Sequence, residues 1–145
     1  MNAELVKVAA GEYGVNEIPG DKSNPDINKY FDIIGHTWAD DEVAWCSAFV
    51  NWVAKSTNHE YSGELTARSW LSKGHKVEQP EPGDLVIYWR ESPASWKGHV
   101  GFFFNRVDSH IWTLGGNQDN MVKVTPYPDY RLLGFRRLEK RTENM

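Results

Sequence analysis

Two residues that lie far apart in the chain have the types needed for nucleophilic catalysis. Cys46 is the only cysteine among 145 residues, and it stands at the start of the helical pattern CSAFVNWVAKS. Backbone N–H groups and the helix dipole favour a thiolate at such a position. His99 begins the apolar run HVGFFF, where an imidazole held on a strand could take the thiol proton. We predict a cysteine–histidine pair, with a buried structural cysteine as the alternative. The other four histidines lie in or beside turns and read as surface residues.

A third polar group would hold the imidazole through its other nitrogen. The segment TLGGNQDN, on the next predicted strand, offers Asn117 and Gln118 for this role. Two glycines stand directly before them, and such a pair often marks a bulge or a close backbone approach. The third residue is therefore sought at this strand end.

Strand register decides which of the two faces the histidine. If the loop between the strands is only the dipeptide Asp108-Ser109, His99 faces Gln118. One more loop residue, or a bulge at the glycines, brings Asn117 to the same face. Asp-Ser is a poor two-residue hairpin loop, which favours the longer loop. The prediction is therefore Asn117, with Gln118 as the alternative.

The elements that must position these residues divide the chain into two halves. The first half has helical periodicity. Four helices are predicted there. The first is capped by Asn2 and ends at Gly14, and the second runs from Asn24-Pro25 to Gly35. The third has an apolar stripe at Trp45, Phe49, Trp52 and Val53, and the fourth is the short segment TARSWLSK.

The second half has strand patterns. They are EPGDLVIYWR, GHVGFFFNRV, HIWTLGGN, MVKVTPY and RLLGFRRL. We predict an α+β fold in which N-terminal helices pack on one face of an antiparallel meander of about five strands. One catalytic domain is expected over 1–145, with a helical half at about 1–75, a β half at about 76–138 and a C-terminal tail at 139–145.

Composition excludes several classes of function. A net charge of −4 argues against nucleic acid as a partner. A single cysteine permits no internal disulfide. No run has the length of a membrane span, and the start of the chain lacks the apolar core of a signal peptide. We expect a monomer made in the cytoplasm without membrane insertion.

Seven tryptophans are many for this length. Core packing is one interpretation, and a substrate groove is the other. The groove candidates are Trp45, Trp70, Trp96 and Trp112. Trp96 lies in the loop just before His99, so it is the one expected to contact substrate; the alternative is a loop anchor packed on the sheet edge.

The segments AWCSAFVNW, PEPGDLVIYW, GHVGFF and LGGNQ, in this order, resemble the CHAP domains and their NlpC-like relatives. CHAP stands for cysteine, histidine-dependent amidohydrolases/peptidases. The resemblance covers most of the chain and is closest from Glu42 to about Leu138. The segment GVNEIPGDKSNPDI also resembles the lead-in of a small CHAP-like subgroup found in bacterial and phage genomes. It implies a papain-like core in which Cys46 is the nucleophile, His99 the general base and Asn117 the orienting residue.

The resemblance also implies a substrate. Relatives cleave amide bonds of bacterial peptidoglycan, either N-acetylmuramoyl–L-alanine or a bond within the stem peptide. Some bind calcium near the cysteine, and Asp40, Asp41 and Glu42 could supply oxygens. The alternating pattern of a calcium loop is absent, so no metal or other cofactor is expected. The PGD motif ending at Asp84 reads as a turn before the central strand.

Two rival functions stay open from the sequence. An acyltransferase or transpeptidase could use the same cysteine–histidine dyad, because both reactions pass through an acyl-enzyme. A non-catalytic module for binding wall or sugar could instead rely on the tryptophans.

The route by which the enzyme reaches its substrate is also open: the enzyme could be an endolysin or a secreted lytic effector. It would act on the wall or in the periplasm after release or export, and an effector would travel with an immunity protein.

Overall fold

The computed structural model describes residues 2–18, 24–36 and 45–142. Helices fill the first half of these ranges and a six-stranded antiparallel sheet fills the second, which confirms the α+β layout. The α-helices are α1 (Ala3–Ala10), α2 (Pro25–Asp32) and α3 (Cys46–Ser56), and two 3₁₀ helices cover Ala67–Ser72 and Asp129–Arg131. Within these ranges, no helix is long and apolar enough to cross a membrane.

The sheet contains β1 (His75–Val77), β2 (Leu85–Trp89), β3 (Gly98–Val107), β4 (His110–Gln118), β5 (Met121–Pro128) and β6 (Leu132–Arg137). Their order across the sheet is β1-β6-β2-β3-β4-β5. The run from β2 to β5 is the predicted meander. The sheet has one strand more than the predicted five or so, and not all of its strands follow one meander. A short sixth strand, β1, is present at one edge, and β6 returns to pair with β2.

Side-chain caps start the first two helices where the sequence predicts them. Asn2 Oδ1 accepts a hydrogen bond from the Leu5 N–H at 3.2 Å, and Asn24 Oδ1 accepts one from the Asp26 N–H at 2.8 Å. The ends differ from prediction. The first helix stops at Ala10, before the predicted Gly14, and the fourth predicted helix is a 3₁₀ helix.

Two apolar clusters lie on opposite faces of the sheet, because strand side chains alternate between faces. Leu85 and Ile87 join the cluster under the helices, whereas Val86 and Tyr88 join the cluster on the far face. On the helix side, Phe49 of α3 packs edge-on against Tyr30 and Phe102. Burial of each such aromatic or aliphatic side chain stabilises the fold by about 1.5–3 kcal/mol.

The aspartate of the PGD motif has a structural role. Asp84 lies directly before β2, and its side chain is only 3% exposed. Its two carboxylate oxygens accept hydrogen bonds from Arg137 Nε at 2.9 Å and Nη2 at 2.8 Å. One oxygen also accepts the Glu81 N–H. The motif is therefore a turn that ties the start of β2 to β6.

One of the four histidines expected at the surface is buried. His59 is 2% exposed. Its Nδ1 lies 2.7 Å from Thr57 Oγ1, and its Nε2 lies 3.1 Å from Asn2 Nδ2. These contacts connect the end of α3 to the start of α1, so His59 is a packing residue.

Candidate active site

Cys46 is the first residue of α3 and is only 1% exposed. Trp45 precedes it as the N-cap, but its side chain does not cap the helix. The Trp45 indole instead donates to Glu17 Oε1 at 3.2 Å. The cysteine thus lies at the helix start, as predicted, but within the core.

A buried polar network holds the first turn of α3 in place. Ser47 Oγ donates to the Glu64 carbonyl at 2.7 Å and accepts from Trp70 Nε1 at 2.8 Å. Asn51 Nδ2 donates to the carbonyls of Ser47 and Glu64, each at 3.1 Å. Because these groups are buried and paired with one another, the helix start cannot move without breaking several hydrogen bonds.

The charge state of Cys46 differs from the sequence expectation. Burial is the largest influence and raises the pKa of the thiol. Backbone hydrogen bonds from Val100 and Ser47 lower that pKa, as does the positive charge of Arg90. The helix-start effect is therefore present, but desolvation exceeds it, and the resting residue is a thiol. The Val100 contact places the sulfur beside the residue that follows His99.

His99 is held by Gln118. The imidazole Nε2 lies 2.9 Å from Gln118 Oε1, and His99 is 7% exposed. The Gln118 amide nitrogen donates to the carbonyls of Thr113 at 3.0 Å and Lys123 at 2.5 Å. With both of its N–H bonds used, the amide must present its oxygen to the ring. His99 Nε2 therefore carries the proton, and Nδ1 keeps its lone pair.

Aromatic rings enclose the imidazole. The His99 ring stacks on Tyr127 with centroids 5.0 Å apart and on Tyr88 at 6.4 Å. Burial lowers the pKa of His99 to about 4, opposed by the hydrogen bond to Gln118 and assisted by the charge of Arg90. At neutral pH the ring is therefore uncharged, which is the form that can accept a proton.

The contact with Gln118 corrects the prediction of Asn117. Val107 pairs with His110, so the loop has two residues and the longer loop is wrong. A bulge at Phe104 shifts β3 by one residue, which alone would bring Asn117 to the histidine. A second irregularity lies between Gly115 and Gln118, where Asn117 has a φ of 57°. The two shifts cancel, and Gln118 reaches the ring.

Gly116 shows why the second irregularity occurs there. A Cβ on this residue would lie 2.8 Å from Trp45 Cζ3 and 2.9 Å from Phe49 Cβ. Only glycine permits β4 to approach the start of α3 so closely. The glycine pair noted in the sequence therefore does mark a close backbone approach, and it connects the Gln118 strand to the Cys46 helix.

A cleft of about 280 Å³ opens at His99. Its aromatic walls are Tyr88, Trp89 and Tyr127, and its polar lining is Arg90, His99, Asn117, Asn120 and Arg131. Asn117 thus faces the cleft but does not hold the imidazole. Cys46 is not among the lining residues and lies buried on the helix side.

None of the four predicted groove tryptophans lines this cleft. Trp45 and Trp70 are fully buried in the core, which contradicts a groove role for both. Trp96 is 71% exposed and Trp112 is 36% exposed, but both lie outside the lining. Contact of Trp96 with substrate stays a prediction. The tryptophan that lines the cleft is Trp89, at the end of β2. It stands directly before Arg90, and this pairing of an aromatic residue with a cation is the sequence feature that could have identified it as a cleft residue.

The sequence offers three acidic residues near Cys46 as possible calcium ligands. Asp40, Asp41 and Glu42 lie outside the described residues. Among residues 2–18, 24–36 and 45–142, no group of three or more His, Cys, Asp or Glu side chains could hold a metal ion.

Solved structures share the fold. NlpC1 from Trichomonas vaginalis aligns with a TM-score of 0.56 and 18% identity over 94% of this chain and 44% of its own. An NlpC/P60 family protein from Bacillus cereus ATCC 10987 aligns with a TM-score of 0.57 and 17% identity over 93% of this chain and 39% of its own. A protein described as similar to lipoprotein, NLP/P60 family, from Staphylococcus aureus subsp. aureus Mu50 gives 0.51 and 15%, over 94% and 42%. The core is therefore papain-like, and the chain spans about two fifths of the length of these proteins.

No curated protein sequence matches the chain. The CHAP domain family model matches residues 38–117, which is more than half of the 145 residues. This range begins before Cys46 and ends at Asn117, so it includes the helix start, the His99 strand and most of β4. The chain belongs to the CHAP domain family.

Proposed function

We propose that this protein is a peptidoglycan hydrolase that cleaves an amide bond with Cys46 as the nucleophile. His99 is the general base and acid, and Gln118 orients it. The amide is either N-acetylmuramoyl–L-alanine or a bond within the stem peptide. The observation that carries the proposal is the hydrogen bond of 2.9 Å between His99 Nε2 and Gln118 Oε1. It leaves His99 Nδ1 unprotonated in a buried site, one residue before Val100, whose backbone hydrogen-bonds to Cys46.

The first half of the reaction forms a thioester. His99 Nδ1 takes the proton of the Cys46 thiol as the sulfur attacks the amide carbonyl. Backbone N–H groups at the start of α3 stabilise the negative charge on the carbonyl oxygen, because the first N–H groups of a helix have no carbonyl partner within it. His99 then gives its proton to the leaving amine as the carbon–nitrogen bond breaks.

The second half restores the enzyme. His99 Nδ1 takes a proton from water, and the hydroxide attacks the thioester carbonyl. The carbon–sulfur bond breaks, the acyl group leaves as a carboxylic acid, and the proton returns to Cys46. Gln118 keeps Nε2 protonated throughout, so that the same nitrogen serves both halves. The pair starts as thiol and neutral imidazole, because burial raises the pKa of Cys46 and lowers that of His99.

The test is digestion of purified peptidoglycan by the wild type and by Cys46→Ala and His99→Ala. We expect new fragments with the wild type only, and their masses identify the bond. Circular dichroism of the variants serves as the folding control. Undiminished cleavage by Cys46→Ala would exclude the cysteine as nucleophile.

Adding an amine acceptor to the digestion separates hydrolysis from acyl transfer. Hydrolysis yields free carboxylic acids, whereas a transpeptidase incorporates the amine into the product. Binding to the wall without any new fragment would instead support a non-catalytic module.

We also propose that the chain acts as a single catalytic domain and a monomer, and that it meets its substrate at the wall after release or export.

A further inference from the structure

Two arginines line the cleft without a carboxylate partner among the described residues. Arg90 follows β2, and Arg131 ends the second 3₁₀ helix. The nearby acids have other partners: Glu91 pairs with Lys97 at 2.8 Å, and Asp119 pairs with Lys123 at 2.5 Å. Neither guanidinium forms a salt bridge with a described carboxylate, although Lys97 and, to a lesser extent, the charge of Arg90 lower the pKa of Glu91. Both arginines therefore add positive charge to the cleft.

The guanidinium of Arg131 is held between aromatic rings, but its Nε lacks a hydrogen-bond partner. Its guanidinium lies 5.5 Å from the Trp89 ring centroid and 5.8 Å from that of Tyr130. Its Nε is buried and donates to no acceptor within the described part of the chain. Buried polar groups are normally paired, so an unpaired donor at the wall of a cleft points to a ligand that completes it. Stacking on an aromatic ring positions a guanidinium for this purpose.

Arg90 lines the same cleft. Burial has the largest effect on the pKa values of Cys46, His99 and Tyr127, raising the first and third and lowering the second; the positive charge of Arg90 acts to lower all three. Other arginines are bound by the protein: Arg68 donates to the Lys97 carbonyl, and Arg137 pairs with Asp84. Arg90 is exposed, and its side chain makes no such contact with the described residues.

We propose that Arg90 and Arg131 form a carboxylate-binding subsite beside His99, so that the cleaved amide lies next to a free carboxylate of the substrate. This inference rests on the proposed function and narrows its substrate class. Guanidinium groups bind carboxylates through paired N–H donors, which gives direction as well as attraction. Asn117 and Asn120, which line the same cleft, provide amide groups for the neighbouring peptide.

The test uses two stem-peptide fragments that differ in one group. One carries a free carboxylate beside the scissile amide, and in the other this carboxylate is a carboxamide. Affinities are measured by calorimetry with Cys46→Ala, which cannot turn over either peptide. We expect the carboxylate peptide to bind at least about tenfold more tightly, as charge-assisted pairs imply.

The arginine variants assign this preference to residues. In the Cys46→Ala background, Arg90→Gln with Arg131→Gln should reduce the preference below about threefold. Arg131→Lys keeps the charge but loses the fork, so it should retain only part of the preference. Lys76→Gln, an exposed cation on β1 outside the cleft, removes the same charge and should leave the preference unchanged.

The outcomes separate this inference from the proposed function. Equal affinity for the two peptides, no binding of either, or a preference that survives the double substitution would overturn the subsite. If the wild type cleaves neither peptide but the arginine-dependent preference is present, the subsite stands and the hydrolase proposal fails. Thermal unfolding of each variant verifies that it is folded when its affinity is measured.

Discussion

The carboxamide of Gln118 determines which nitrogen of His99 is available as a base. Its amide nitrogen is committed to two backbone carbonyls, so its oxygen meets His99 Nε2 at 2.9 Å. A neutral imidazole in this position has its proton on Nε2 and its lone pair on Nδ1. The arrangement performs the task that an asparagine was expected to perform, one residue further along β4.

Replacement of the third residue distinguishes Gln118 from Asn117. Gln118→Ala should lower kcat by on the order of 10²-fold, because the ring loses the contact that selects its tautomer. Asn117→Ala should retain most of kcat, since its side chain faces the cleft and not the imidazole. The measurement is steady-state hydrolysis across a range of pH. Gln118→Ala should also shift the acidic limb of the pH profile, which a purely structural loss would not do. A larger loss of kcat in Asn117→Ala would reverse the assignment.

Stability should depend on pH through His99. The pKa of His99 is about 4 in the folded protein, below the ordinary 6.5, so the unfolded chain takes up the proton first as the pH falls. The resulting stabilisation is complete above pH 6.5 and is lost as the pH falls towards 4, by about 3 kcal/mol in total. Urea unfolding at a series of pH values measures this loss.

His99→Gln is the control for this pH dependence. The variant should lose less stability over the same range, because one buried imidazole is gone. Some dependence should persist, since burial also lowers the pKa of His59. Equal slopes for the wild type and the variant would mean that His99 titrates normally in the folded state.

Alkylation reports the state of the cysteine. Burial raises the pKa of Cys46, so the rate of reaction with iodoacetamide should rise with pH to a midpoint above that of an ordinary thiol. Arg90→Gln should move the midpoint higher, because its positive charge stabilises the thiolate, whereas Lys76→Gln should not move it. A midpoint below that of an ordinary thiol would instead indicate a thiolate–imidazolium pair with His99.

Gly116 offers a test of the contact between β4 and α3. Gly116→Ala would place a methyl group 2.8 Å from Trp45 and 2.9 Å from Phe49, which is closer than packed atoms approach. We expect a loss of about 1–3 kcal/mol of stability and a loss of activity, because the strand that carries Gln118 must move.

Gly11→Ala is the matched substitution at the end of α1. Its Cβ would lie 3.4 Å from the Val8 carbonyl oxygen, and its φ is −64°, so an alanine fits. Chemical unfolding should show stability near that of the wild type or slightly above it. If both variants unfold alike, close approach at Gly116 is not what constrains the strand.

Local patterns in the sequence identified most of the helices and strands, although not β1, and the elements on which Cys46 and His99 lie. The caps at Asn2 and Asn24 depend on a side chain and the backbone two or three residues later, so neighbours in the chain specify them. Helical and alternating periodicity placed Cys46 at the start of a helix and His99 on a strand for the same reason. These features need no knowledge of what packs against them.

Only the tertiary structure decided which side chain contacts the imidazole of His99 and in which direction the pKa of Cys46 is shifted. Gln118 reaches His99 because one bulge at Phe104 and another at Gly116–Asn117 cancel, and the second depends on the packing of Gly116 against Trp45. The pKa of Cys46 is raised because distant parts of the chain bury it. The two arginines of the cleft come from distant parts of the chain. Arg90 follows β2 and Arg131 precedes β6, and these two strands pair although 40 residues or more lie between the paired positions. Register, burial and long-range pairing each depend on the whole fold, so no local pattern specifies them.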